Sequence, residues 1–570
     1  MRPAVTLRSG ALIIGLGLLA SFAASPAMAA AITVNSLADT EADDGACSLR
    51  EAIIAANTDT ASGASVGECG AGSGIDTITF GVSGTIILTF PLPGITTDLS
   101  IDGAGSITVS GDSSYQVLDV IAGTVALSGV TVTAGNDPGT GGAGIRVRST
   151  ATLTVTGSTI SESRSVLHNG GGIFNEGGTL TITNSVISGN TADFGGGVYN
   201  IGTLTVTNSM ISGNIGSFAG GGILNIGTLT VTNSMISGNF ATLAGGGILT
   251  NIGTLTLTNS TISGNTASEQ GGGIANGGTL TLTNSTISGN TASGGGGIAN
   301  GGTLTLTNST ISGNSASGGG GGLRADVGTD TLLNAIIAGN TAPIGPDIDG
   351  VAETITTSVI GVPGGMTLAD ILDPAGLADN GGPTQTIALA LVAGNPAVDL
   401  GTGAVCAAAP VNALDQRGMP RPAACDIGAY EVQPPSVAAH AAVSAAASSE
   451  AGAVVTYSPP AGTDEQGGTA SVDCVPASGS TFAVGSTTVT CTVTSAVGHA
   501  AIETFSVNVG AFPQGTATFS PTTGPAALPN TAMAGGTNAA DVLLLMLGLI
   551  GLGGWVAFGR TYGRGRGPIS

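Results

Sequence analysis

The stretch GGTLTLTNSTISGN occurs twice, word for word, at Gly277–Asn290 and Gly301–Asn314. Looser copies carry Asn-Ser-x-Ile-Ser-Gly-Asn from Asn184, Asn208, Asn233, Asn259, Asn284 and Asn308, at intervals of 24 to 26 residues. Degenerate copies flank them: GSTISES from Gly157 and NAIIAGN from Asn334. A fixed period in this range marks a solenoid, whose repeats bury their apolar faces on one another. Within the period, TLTLT alternates, so one strand face is Leu and the other Thr. STIS reads as a second short strand and GGGI leads into a third, with Asn and Gly at the turns between them. Apolar residues at helical spacing are missing, as are long helix formers. The pattern predicts a parallel β-solenoid with three short strands per coil.

Three aliphatic columns follow from that period. One runs Leu180, Leu204, Leu229, Leu255, Leu280, Leu304; a second runs from Ile187 to Ile311; a third runs from Ile173 through Val198 to Ile298. Neighbouring coils lie about 4.7–4.9 Å apart, and burying one such side chain contributes roughly 1.5–3 kcal/mol. At the corners, two asparagine ladders are expected. One runs Asn208, Asn233, Asn259, Asn284, Asn308, and the other Asn214, Asn239, Asn265, Asn290, Asn314.

Charge is scarce. Only 8% of the 570 residues are charged, against about 25% in ordinary globular proteins. The net charge of −23 repels nucleic-acid phosphates, so no nucleic-acid partner is expected. All basic residues are Arg. Arg2 and Arg8, the apolar run Ala11–Ala24 and Ala27-Met28-Ala29 read as a secretory signal peptide over 1–29. Export permits disulfides. The six cysteines fall in three separate segments, which predicts local bridges Cys47–Cys69, Cys406–Cys425 and Cys474–Cys491.

The repeats resemble the right-handed parallel β-helix of the pectin-lyase-like superfold and of polymorphic outer-membrane-type adhesins. CSLREAIIAAN (Cys47–Asn57) resembles the opening signature of CSLREA-domain surface proteins. DNGGPTQTIAL (Asp379–Leu389), NPAVDLG (Asn395–Gly401), DQRGMPRP (Asp415–Pro422) and CDIGAYE (Cys425–Glu431) resemble the closing module of the same bacterial group, often labelled choice-of-anchor. The segment from Cys474 to Ala501 is similar to the hyalin (HYR) repeat, an immunoglobulin-like sandwich of adhesive extracellular proteins. Leu528, Pro529, Asn530, Thr531 and Ala532, the apolar run Val542–Phe558 and then Arg560, Arg564 and Arg566 resemble a sortase cell-wall sorting signal. That resemblance implies cleavage after Thr531, with sortase and a cell-wall precursor as partners and a membrane held through the C-terminal helix before sorting. Ala532 stands where the family usually has Gly. Sortase-built pili need a lysine nucleophile in each subunit, and this chain has none, which points to a wall-attached monomer.

The expected fold class is all-β: a right-handed parallel β-helix, then an immunoglobulin-like β-sandwich and a C-terminal transmembrane helix. The expected segments are a signal peptide (1–29), an N-terminal capping region (30–95), the β-helix (96–375), its closing module (376–432), the sandwich (436–510), a linker (511–527) and the sorting signal with its helix and basic tail (528–570). The helix LREAIIAA, with Arg50 and Glu51, is expected to cap the solenoid. Asp415, Arg417, Arg421 and Asp426 are expected to form a structural charge network at the other end.

β-Helices include polysaccharide lyases and hydrolases, but such chemistry needs carboxylates a few ångströms apart or a positioned base. Between Thr179 and Ser317 the only charged residues are Asp193 and Glu269, three coils apart. Glu162, Arg164 and His168 share one degenerate coil, where a salt-bridged surface is expected. No HExxH, P-loop or CxxC motif is present. Asp39, Glu41, Asp43 and Asp44 are a candidate Ca²⁺ cluster through hard oxygen ligands; no other cofactor is expected. The candidate binding face is the threonine grid: Thr179, Thr181, Thr183, Thr203, Thr205, Thr207, Thr228, Thr230, Thr232, Thr254, Thr256, Thr258, Thr279, Thr281, Thr283, Thr303, Thr305 and Thr307. The sequence therefore points to a non-enzymatic surface adhesin or stalk for an extracellular glycan or protein. A polysaccharide-active lyase or hydrolase and an ice-binding face are the alternatives.

Overall fold

In a computed structural model, residues 30–137, 139–465 and 468–514 are described. The predicted signal peptide, the pentapeptide Leu528–Ala532 and the apolar run Val542–Phe558 lie outside them. Among the described residues no helix is long and apolar enough to cross a membrane.

One coil shows how the repeat folds. Strands Ile173–Asn175, Thr179–Thr183 and Val186–Ser188 follow one another, and each pairs in parallel with its copy in the next coil. The pairs are Ile173 with Val198, Leu180 with Leu204 and Ile187 with Ile211. The three aliphatic columns therefore stack rung on rung, and every member from Ile173 to Ile311 is fully buried. The Leu column ends on a polar residue, since Leu304 is paired with Asp330, which is buried too.

The coil has four strands rather than three. The fourth, Thr191–Phe194 in this coil, belongs to a separate eight-stranded parallel sheet running from Asn136–Asp137 to Ser315–Gly319. Its residues (TADF, IGSFA, TASG) share no side-chain alternation. It is held by backbone hydrogen bonds, which any non-proline sequence supplies, so the pattern reads as a loop. The triple glycine that follows is dictated by crowding. Gly195 sits at φ +64°, and a Cβ on Gly196 would fall 2.3 Å from the Ile215 carbonyl oxygen of the next coil.

Of the two expected asparagine ladders, one forms. The Asn214 amide donates to Asn239 Oδ1 at 3.0 Å, Asn239 to Asn265 at 2.9 Å, and the chain continues through Asn290 and Asn314 to Asn340. Asn208, Asn233, Asn259, Asn284 and Asn308 do not bond to one another. Each holds a left-handed turn at φ 45–50°, and the Asn284 and Asn308 amides turn to the Leu414 carbonyl and to Cys406 Sγ of the closing module. Asparagine tolerates that conformation where most residues do not. A second ladder forms instead at the end of the first strand, from Asn175 to Asn200 to Asn225, at 2.7 and 2.8 Å.

At the N-terminal end, helix Leu49–Thr58 opens with a capping box between Ser48 and Glu51. Leu49, Ala52, Ile53, Ala55 and Ala56 join the solenoid core. At the other end the closing module does not sit as a lid beyond the last coil. It folds back along the flank and docks on the third strands from Asn259 to Ile336. Thr384 Oγ1 donates to the Asn259 carbonyl, Asn284 donates to the Leu414 carbonyl, and Gly428 N donates to the Asn334 carbonyl. Residues 436–510 form small sheets on one core containing Phe482, Val489, Cys491 and Val507. Its longest hairpin pairs Gly485–Thr494 with Ala500–Gly510. All three expected disulfides are present.

Candidate functional site

The threonine grid faces outward. Within Thr203–Thr207 the residues Leu204 and Val206 are buried, Thr203 is exposed, and Thr205 and Thr207 are half-buried. The same holds from Thr179 to Thr307, except that Thr283 is buried where the closing module comes down.

A second surface lies on the fourth strands. Phe194 and Phe218 stack, with ring centroids 5.5 Å apart and planes 24° apart. Ile215 pairs with Phe240 one coil on, and Leu243 lies beside Phe218 through a backbone hydrogen bond. These side chains are 38–45% exposed, as is Val166, and Leu167 is 76% exposed. The ribbon spans four coils and stops at Thr266 and Glu269. Scattered exposed apolar side chains are ordinary, but a contiguous patch marks an interaction surface.

The structure does not gather the charged residues of the central coils. Asp193 and Glu269 remain three coils apart, and among the described residues Glu162, Arg164 and His168 make no ion pair, contrary to the salt-bridged surface expected there. Arginines pair instead on the N-terminal coils, Arg146 with Glu176 and Arg148 with Asp119, both at 2.6 Å. The acidic loop does not converge either. Asp39 turns to Arg50 at 2.8 Å and to Thr89; burial pushes its carboxyl up, but these hydrogen bonds hold it below the usual range. Asp43 accepts from Ser65 N, and Asp44 accepts from Ala46 N. Among the described residues no group of three His, Cys, Asp or Glu side chains can hold a metal. Of the four candidate Ca²⁺ ligands Asp39, Glu41, Asp43 and Asp44, the first is taken by Arg50, and Asp43 and Asp44 serve local turns.

The expected charge network forms in the closing module and is larger than expected. Arg417 bonds Asp415 at 2.7 Å and lies 3.6 Å over the Tyr430 ring. Arg421 bonds Glu431 at 2.7 Å with both side chains buried, and Asp426 takes the backbone N–H groups of Asp399 and Val432. Three buried carboxylates face two guanidiniums, leaving an excess negative charge out of water. Burial raises Glu431 to about 8 and Asp426 to about 6. The network is enclosed within its own module, which suits holding the fold.

Residues 143–342 match the family described as right handed beta helix region, and residues 430–509 match the HYR domain. The solenoid is a right-handed parallel β-helix. The crystal structure of pectate lyase Pel9A is similar at 14% sequence identity and a TM-score of 0.37, covering 70% of this chain and 96% of that chain. No curated protein matches the chain.

The sequence reading missed the aromatic ribbon, the partnership of Glu431 with Arg421, and the Asn175 ladder. A signal for the ribbon exists. Between SGN and GGG three successive copies read TADF, IGSFA and FATLA, where later copies hold TASEQ and TASG. Large apolar residues confined to three copies of an otherwise polar position mark a local surface.

Proposed function

We propose that the protein is a non-enzymatic adhesin or stalk of the cell surface. The observation that carries the reading is the exposed ribbon of Phe194, Phe218, Phe240 and Leu243 on a rigid solenoid whose central coils hold almost no charge. Aromatic side chains supply large contact area at low entropic cost, and a solenoid presents them along a stiff axis. The HYR match supports an adhesive role for residues 430–509, which we read as an immunoglobulin-like sandwich. Three disulfides suit an exported chain. On the resemblances above, residues 1–29 direct export, the CSLREA-like start and choice-of-anchor-like module bracket the β-helix, and sortase joins Thr531 to a cell-wall precursor.

The test is a glycan and host-matrix binding array probed with residues 30–510. A hit weakened by replacing Phe194, Phe218 and Phe240 together with Ser supports the reading. The same protein is offered uronic-acid polymers and assayed for new double bonds and reducing ends. Turnover there would replace adhesion by polysaccharide chemistry. Thermal hysteresis, if found, would reassign the threonine grid to ice.

A further inference from the structure

The corner track on which the closing module docks does not end where the module ends. In the covered coils the first residues of the third strands, Thr261, Thr286 and Thr310, are buried under the module. They are met by peptide groups and amides. Thr261 donates to the Gln385 carbonyl at 2.6 Å, Thr310 accepts from Ala429 N at 3.1 Å, and the turn asparagine Asn284 donates to the Leu414 carbonyl at 2.9 Å. The same corner continues over three more coils with nothing on it. There the equivalents are Val186, Met210 and Met235, flanked by Asn184, Asn208 and Asn233 and closed at one end by Pro383 of the module. They line an open groove of about 710 Å³. Met210 is 39% exposed. Among the described residues the side chains of all three asparagines make no hydrogen bond.

We infer that this groove is a docking site for an extended, uncharged peptide segment of a partner protein, whose peptide groups would meet the corner as those of Gln385, Leu414 and Ala429 meet it in the covered coils. The asparagine amides would take backbone carbonyls, as Asn284 takes that of Leu414, and apolar side chains would rest on Met210, Met235 and Val186. Methionine suits such a surface because its unbranched thioether adapts to different shapes, and main-chain hydrogen bonds with side-chain contacts are a recurrent mode of peptide recognition. Three coils span roughly 14 Å, enough for about four extended residues. No charged residue lines the groove, so a charged segment would lose water without gaining a partner. The inference does not rest on the adhesive ribbon, which lies on the fourth strands.

The test uses the full chain and a phage-displayed library of random 12-residue peptides. Uncharged apolar peptides should be enriched. Their affinity should fall at least tenfold in the double variant Met210→Lys, Met235→Lys and persist in Met210→Leu, Met235→Leu and in Phe218→Ser. A photoreactive copy of an enriched peptide should cross-link within Asn208–Met210 or Asn233–Met235 of the unmodified protein, a readout that needs no variant to fold. No enrichment, cross-links elsewhere, or equal binding to the lysine variant would overturn the assignment. So would a glycan whose binding is lost in that variant.

Discussion

Asn239 accepts two hydrogen bonds from Asn214, one from its side-chain amide at 3.0 Å and one from its backbone N–H at 2.9 Å. Asn239 in turn donates to Asn265 and to the Ile211 carbonyl. Each rung of the ladder thus satisfies the polar groups of the coil beside it, inside a core that excludes water. Asn239→Ala leaves the Asn214 backbone N–H without an acceptor and its amide with the Ile187 carbonyl alone, and removes the donor to the Ile211 carbonyl. A buried unsatisfied group costs about 1–3 kcal/mol, so the expected loss is about 3 kcal/mol in a denaturant melt. Hydrogen exchange should rise first in the strands that flank the rung, Met235–Ser237 and Phe240–Ala241, and at Asn214. An unchanged melting profile would mean the ladder is ornamental.

Asp330 stands where the pattern calls for leucine. Burial pushes its carboxyl up, offset in part by the Asn300 amide at 2.8 Å. Asp330→Leu should stabilise the last coils by about 1–3 kcal/mol, because it removes a buried carboxylate. Asn300 retains the Gly302 carbonyl as acceptor. The raised pKa also means the folded chain holds this proton more tightly than the unfolded chain. Its contribution is therefore present at low pH and lost as pH rises through the folded value. A variant as sensitive to pH as the parent, and no more stable, would count against the account.

The closing module should lose stability as pH rises. Glu431 moves from 4.5 unfolded to about 8 folded, and Asp426 from 3.8 to about 6, with burial the main cause in both. Folding takes up protons in that window, so the contribution of these two groups is full only below their unfolded values of 3.8 and 4.5 and declines toward pH 8. Urea midpoints at pH 5 and pH 8 read this directly. Glu431→Gln should flatten the difference.

Reduction should loosen the closing module before the solenoid. The Cys406–Cys425 bridge closes a separation of 19 residues, worth about 3 kcal/mol, and Cys406 Sγ lies 3.4 Å from the amides of Asn308 and Asn334. Replacing both cysteines with Ser should open the segment 376–432 to protease while residues 143–342 stay resistant. Simultaneous cleavage of both would show that they unfold together.

Which threonines face out and which leucines face in was legible because strand alternation is a local, period-two property, and Thr203–Thr207 obeys it to the residue. The Asn214 ladder was legible for a related reason: identical residues one period apart must stack. The same reasoning failed at Asn208, whose repeat is equally regular. There the residue is kept for its left-handed backbone, and a repeated letter does not say whether side chain or main chain requires it. The fourth strand was invisible because backbone pairing leaves no side-chain signature. The ribbon on it was visible only as a lapse in the repeat.

From the residues alone follow the solenoid, its inner aliphatic columns, the three local disulfides and the near absence of charge, since each depends on neighbours in sequence or on copies one period away. Only the tertiary structure decided that the closing module lies along the flank, that Glu431 completes the Arg421 pair, that Asp39 is taken by Arg50, and that Val186, Met210 and Met235 stay uncovered. Those outcomes depend on side chains from separate segments meeting in space, at separations that run from 10 residues for Arg421 and Glu431 to 155 for Thr261 and Gln416. No period in the chain encodes such a meeting; it is set by how shapes and hydrogen bonds match once the coils are stacked.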